Sequence, residues 1–281
     1  MTNYGGSEDP LFVFQIDMRA ETDYYIIMID FDLKALVVRE DSTELFKKML
    51  SDGTLRQVFP AFADLDMGTK GHKDVFLHSL KVLENARELS DDKNDVVLLT
   101  AALIHDIGKR ATRKFTKKGA TFVNHDVVGA KIARKTLPDL GYNKTEVKEI
   151  STLVKLHMRG HSFERGWTDS AIRRLARDAG SDKQVRRLVI IFASDSTSKS
   201  SKKRAHYRKN AENLLSAIER VKNEDEKAAR RPVLNGNEVA EFLNIAPGPE
   251  LGKYMRLLQA EENLNLSRDE AFELIKNTAE G

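Results

Sequence analysis

Seven histidines occur in the chain, at positions 72, 78, 105, 125, 157, 161 and 206, and six of them fall between residues 72 and 161. Four stand beside apolar helical patterns: His78 in "VFLHSLKVLENA", His105-Asp106 ending "VVLLTAALIHDIG", His125-Asp126 opening "HDVVGAKIA", and His157 closing "LVKLHM". Asp195 follows the apolar "RLVIIFA" in the same way. Burying an imidazole without a partner costs a few kcal/mol, and burying an unpaired carboxylate costs far more. For any one of these residues, a hydrogen-bonded place in the core is the simpler reading. For the set it is not, because five separate helices would each deliver a ligand type from beside an apolar stripe, as helical proteins do when they assemble a metal centre. Imidazoles with carboxylates suit Mn, Fe, Co, Ni or Zn, with Mg possible. A cation beside Asp106 would also compensate its charge.

The elements that carry these residues are mostly helical. Residues 11–39 differ, since "LFVFQIDM" and "YYIIMIDFDLKALVV" are rich in β-branched and aromatic residues and predict a β-hairpin. From Ser42 onward, apolar residues recur at three- and four-residue spacing between capping residues and glycines. Arg231-Pro232 ends a long basic helix, and short helices follow. The expected fold is mainly α: a helical bundle with a short N-terminal β-hairpin and a helical C-terminal tail. The expected divisions are 1–41, 42–231 and 232–281.

Composition removes several chemistries. With no cysteine, disulfides, thiolate zinc sites, iron–sulfur clusters and thiol nucleophiles are excluded. No apolar run reaches the ~18 residues of a membrane span, and the N-terminus lacks the pattern of a signal peptide, so a cytoplasmic protein is expected. Net charge is only +3, yet "KRATRKFTKK" (109–118) and "KSSKKRAHYRK" (199–209) each hold six basic residues. Such runs are either solvated faces or, beside a site, attractors of a phosphate-bearing partner.

The pattern His78, His105-Asp106, Asp195 resembles the signature of the HD phosphohydrolase superfamily, and His125 and His157 match the additional histidines of its two-metal members. The similarity extends through "HKDVFLHSLKVLENA", "LIHDIGKRATRKF", "FVNHDVVGAKIARKTL", "LVKLHMRGH", "WTDSAIRRLARDAG" and "LNIAPGPELGK". These blocks resemble the HD region of actinobacterial-type tRNA nucleotidyltransferases, the CCA-adding and poly(A) polymerase-like family, from about Glu44 to about Leu258. The Gly-rich head that performs nucleotide addition in that family has no counterpart here, so a free-standing HD module is expected.

The resemblance implies metal-dependent hydrolysis of phosphate esters on nucleotides or RNA 3′-ends, with one or two divalent ions. His78, His105, Asp106 and Asp195 would hold one ion. His125 and His157 would hold a second, with Asp106 between them. Lys109 is either a phosphate contact and helper of the leaving oxygen or an ordinary helix lysine, and Arg113 is similar. His161 is a candidate acid if its helix continues through Gly160. Asp126 either orients a ligand histidine or caps its helix. Lys202 and Arg204 would line a path to the site, and Trp167 either stacks a base or staples a helix start. Two other readings stay open: an RNA-binding module with a structural HD site, and a hydrolase of a cyclic or oligonucleotide signal. Nothing in the sequence sets the oligomeric state.

Overall fold

The computed structural model describes residues 12–17, 26–68, 74–117, 119–229 and 231–280. Phe12–Asp17 (β1) pairs antiparallel with Ile26–Phe31 (β2), in register from Phe12↔Phe31 to Asp17↔Ile26. The second strand is shorter than its composition predicts, because Leu33–Val38 (α1) is helical. Asp32 decides this. It is extended, and its carboxylate accepts the Ala35 N–H at 3.0 Å, which satisfies one of the free donors of a helix start. Leu33, Leu36 and Val37 are then buried at helical spacing, so packing overrides the β-propensity of "LKALVV". The carboxylate pair in "DFD" therefore includes a helix cap.

Ser42–Ser51 (α2), Thr54–Val58 (α3) and Pro60–Ala63 (α4) follow. Buried rings here pack around Phe62: Phe46 edge-on at 5.5 Å, Phe59 stacked at 5.6 Å, and Phe76 tilted at 5.2 Å. Phe76 belongs to Val75–Leu89 (α5), so this aromatic cluster fixes the helix that carries His78. Next comes Val96–Ile104 (α6), in which every residue from Val97 to Ile104 is buried. Its one hydroxyl, on Thr100, is paired with the Tyr142 hydroxyl at 2.7 Å.

A single turn, Lys109–Thr112 (α7), leads to a second hairpin, Lys114–Thr116 (β3) with Gly119–Thr121 (β4), whose first strand lies in the basic run. His125–Thr136 (α8), Lys144–Leu156 (α9), Asp169–Ala179 (α10) and Asp182–Ser194 (α11) complete the body. After α9 the chain tightens into a 3₁₀ segment, Arg159–Arg165, so α9 does not run on through Gly160. A Cβ at Gly160 would lie 2.2 Å from the Phe192 ring, so only glycine allows this approach to α11.

Ser201–Ala229 (α12) is the long basic helix, followed by Gly236–Leu243 (α13), Pro249–Leu258 (α14) and Arg268–Glu280 (α15). The chain divides into two compact units, Met1–Ile218 and Glu219–Gly281. The second has its own small core of Leu234, Val239, Tyr254, Leu258, Ala271 and Ile275. Among the described residues, no helix is long and apolar enough to cross a membrane.

A buried ionic brace joins three helices of the first unit. Asp95 caps α6 through the Leu98 N–H at 3.0 Å, and also takes a two-pronged contact from Arg187 of α11, at 2.8 Å for each prong. The same guanidinium reaches Glu149 of α9 at 2.8 Å and the Gln184 side-chain oxygen at 2.9 Å. Arg187 and Asp95 side chains are each 7% exposed, so neither charge is left to water. Removing one partner of such a pair strands the other. Arg187→Ala should therefore lower stability by about 3–5 kcal/mol in urea unfolding. A loss below about 1 kcal/mol would mean the brace is solvated and inert.

Candidate metal centre

Three helices end at the chemistry. His105, His157 and Asp195 are the C-cap residues of α6, α9 and α11. The last carbonyls of a helix have no intrahelical donors, and two of these side chains use them. His105 Nδ1 donates to the Ala102 carbonyl at 2.8 Å, and His157 Nδ1 to the Val154 carbonyl at 2.6 Å. His125, the first residue of α8, bonds the Phe122 carbonyl in the same manner at 2.8 Å. A carbonyl only accepts, so Nδ1 carries the proton in all three rings and Nε2 is the nitrogen left for a ligand. His78 on α5 is oriented by Thr197, whose Oγ1 lies 2.9 Å from its Nδ1.

The four Nε2 atoms converge in pairs. His78 and His105 present theirs 3.3 Å apart, and His125 and His157 theirs 3.2 Å apart. Two such nitrogens at this distance need a positive charge between or beside them. Asp106 stands between the pairs, with Oδ2 3.3 Å from His105 and 3.5 Å from His78. Its Oδ1 lies 3.2 Å from His125 and 3.7 Å from His157. Asp195 Oδ1 completes the first group, 3.0 Å from His78 and 3.4 Å from His105. Each group, His78/His105/Asp195 and Asp106/His125/His157, has donor atoms within 4.8 Å of one another. The donor chemistry and the convergence fit divalent metal ions, and three helix C-termini add the negative end of their dipoles.

Electrostatics agree. Burial opposes a charged His105, but Asp106 and Asp195 beside it outweigh burial and raise its pKa to about 10. The pocket thus calls for a cation at that nitrogen. Burial and then the neighbouring His105 lower His157 to about 4, which keeps it a neutral ligand. Burial would raise Asp106, yet His105, His125 and Lys109 hold it well below the usual carboxylate range.

Lys109 Nζ sits 2.6 Å from Asp106 Oδ2 and over the Phe122 ring, 5.6 Å from its centre. The exposure of the ring side chains locates the mouth: His105, His157 and Asp106 are closed off, while His78, Asp195 and Lys109 reach solvent at 13%, 16% and 22%. Gly108 lets the two groups approach, because a Cβ there would lie 2.0 Å from the His125 carbonyl oxygen.

All six ligand positions expected from the sequence meet here. Other candidates do not point inward. Asp126 does not orient His125, since the Phe122 carbonyl already does. Arg113 donates to the Met67 carbonyl at 3.3 Å, and Arg204 to the Ser198 and Lys199 carbonyls at 2.6 and 3.0 Å. Lys202 and His206 are exposed. Trp167, just before the Thr168 cap of α10, donates to the Ser162 carbonyl at 3.1 Å and packs edge-on against Phe163. His72, and the His161 side chain, lie outside the described part. Thr197, Gly108, and Asn85, which donates to the Ser194 carbonyl at 2.9 Å beside Asp195, were not singled out beforehand.

The match to the HD domain family covers residues 75–200, from the first residue of α5 to just beyond Thr197. These residues form an HD domain. The chain is 30% identical over 237 residues to an A-adding tRNA nucleotidyltransferase of Deinococcus radiodurans, covering 81% of this chain and 52% of that protein. It is 34% identical over 167 residues to a CC-adding tRNA nucleotidyltransferase of Thermus thermophilus, covering 57% of this chain and 35% of the relative. A Multifunctional CCA protein of Actinobacillus pleuropneumoniae is 32% identical over 131 residues, 44% of this chain and 31% of that protein. The chain thus spans about half or less of the length of these curated relatives.

Metal should stabilise the fold measurably. After chelation, Mn, Co or Ni at about a hundredfold over its Kd should add about 2.7 kcal/mol of unfolding free energy. Gly108→Ala should lower the amount of metal bound at saturation, read by elemental analysis, because α8 must retreat with His125. Undiminished metal in that variant would separate Gly108 from the site.

Proposed function

We propose that the HD domain hydrolyses phosphate esters at nucleotides or RNA 3′-ends, such as a 2′,3′-cyclic phosphate, a 2′-phosphate or a nucleoside monophosphate. The observation that carries this reading is the placement of Asp106, a closed-off carboxylate facing two imidazole pairs with a lysine ammonium on its outer side. In this reading the 42–231 segment carries the reaction, and the segments before and after flank it. The relatives are named as tRNA nucleotidyltransferases, which favours an RNA end over a free nucleotide.

Divalent ions held by His78, His105, Asp195, His125, His157 and Asp106 would supply Lewis acidity and acidify water at neutral pH. The residues of the chain set up the rest. The backbone-bonded Nδ1 atoms lock the imidazoles, so the donors need not reorganise as charge develops at phosphorus. Lys109 stands at the mouth, where its ammonium meets an incoming phosphate as a point charge and hands a proton to the departing oxygen. Closure around His105 and His157 keeps bulk water from the inner side.

Three experiments test this. Complete chelation should abolish hydrolysis of a panel of phosphate esters and add-back should restore it, while activity that survives metal removal overturns the mechanism. Asp106→Ala should be inactive with its helical circular dichroism retained. Lys109→Met should lower kcat by roughly 10²–10³ with metal content unchanged, the scale of losing one charge-stabilising donor. An unchanged kcat would reduce Lys109 to a structural partner of Asp106.

A further inference from the structure

The segments that carry the ligands also carry exposed apolar residues and, around Lys109, a run of basic ones. Among the described residues, seven large apolar side chains are exposed, and four of them lie within two positions of a metal-ligand residue: Leu77, Val123, Val127 and Met158. A fifth, Phe115, is 60% exposed on the β3–β4 hairpin. Exposed large apolar side chains concentrated along the segments that carry the ligands point to a binding surface rather than scatter.

Phe115 is held for contact. Alternation along a strand puts Arg113 and Phe115 on one face, and the guanidinium covers the ring at 5.2 Å from its centre. Arg113 is itself tied to the Met67 carbonyl, which anchors the stack. The ring is covered on one side and remains mostly open to water. The hairpin is also joined directly to the site. Phe122, beneath the Lys109 ammonium, follows Thr121, which pairs with Lys114, and Phe115 pairs with Ala120. At about 3.3 Å per residue and about 5 Å between strands, the Phe115 backbone lies within roughly 10 Å of that of Phe122. Residues 107–125 include Lys109, Arg110, Arg113, Lys114, Lys117 and Lys118 and no carboxylate, so this segment faces only an anion. Aromatic rings interleaved with cations along a backbone track are the pattern of single-stranded nucleic acid contacts.

We propose that Phe115 is a stacking platform for a base of a single-stranded RNA end whose terminal phosphate lies at Lys109 and Asp106. The proposal rests on the phosphohydrolase reading and names its substrate class: a strand with at least one base beyond the reacting phosphate, rather than a free phosphate ester.

The test uses the full metal-loaded chain and an oligoribonucleotide of about five nucleotides ending in a 3′-phosphate, beside an abasic strand of equal length with the same end. Phe115→Ala should weaken binding of the base-bearing strand roughly tenfold and leave the abasic strand unchanged. Phe115→Tyr should retain affinity. In a Trp167→Phe background, Phe115→Trp fluorescence should be quenched by the base-bearing strand only. Equal affinity of Phe115→Ala and the parent for that strand, or equal quenching by both strands, overturns the proposal. Exposure of Phe115 keeps folding out of the comparison. If the binding differences hold while no phosphate ester is turned over, the hydrolytic reading fails and the platform stands. If esters are hydrolysed while Phe115 makes no difference, the platform alone falls.

Discussion

The carboxylate of Asp106 is the constraint around which the first unit is built. It is 1% exposed, at the end of a helix whose other residues are almost all apolar. A lone anion there would cost several kcal/mol, more than most single contacts return. Every neighbour answers that charge: four imidazole nitrogens on two sides, the Lys109 ammonium on a third, and room for cations between. The local folding choices follow from it. The ligand histidines at helix ends bond back three residues to a carbonyl, which satisfies the helix and points the other nitrogen at Asp106.

The same helices are secured a second time by another charge cluster. Arg187, Asp95 and Glu149 tie the middle of α11, the start of α6 and the middle of α9 together, so the three helices that deliver His105-Asp106, His157 and Asp195 are each held at two points. Ion pairs of this kind add little net stability compared with apolar packing. What they add here is alignment, since a guanidinium contacting three partners allows little sliding between helices. The aromatic cluster around Phe62 does the corresponding work for α5 and His78 by area and shape.

Much of the site was legible in the sequence because ligands at helix ends leave a local trace: an apolar run, then an abrupt His or Asp. His105-Asp106, His157 and Asp195 all read this way, while His125 opened its apolar pattern and His78 stood beside its own. What was illegible depends on distance. Asp95 and Arg187 are 92 residues apart, and each alone looks like an ordinary cap or a solvated helix residue. The basic run at 109–118 showed charge but not the hairpin that begins in it, since two three-residue strands are too short for an alternating pattern. At Leu33–Val38, β-branched composition suggested a strand, and only burial against the bundle and the Asp32 cap made it a helix. Arg204 and Asp126 sit near the site in sequence, but local carbonyls decided where the Arg204 guanidinium and the His125 ring point.

The double anchoring of the helices restricts how the chain can vary in length. Glu149 precedes His157 by eight residues, and Arg187 precedes Asp195 by eight. At 1.5 Å per residue, brace and ligand are separated by about 12 Å along each helix. Inserting or deleting one residue in either interval turns everything downstream by about 100°. Either the guanidinium or the ligand would then face the wrong way. The loops between helices are free of this restriction, whereas these two intervals are rulers. Insertions and deletions among relatives should collect outside them, in the connections that neither end holds.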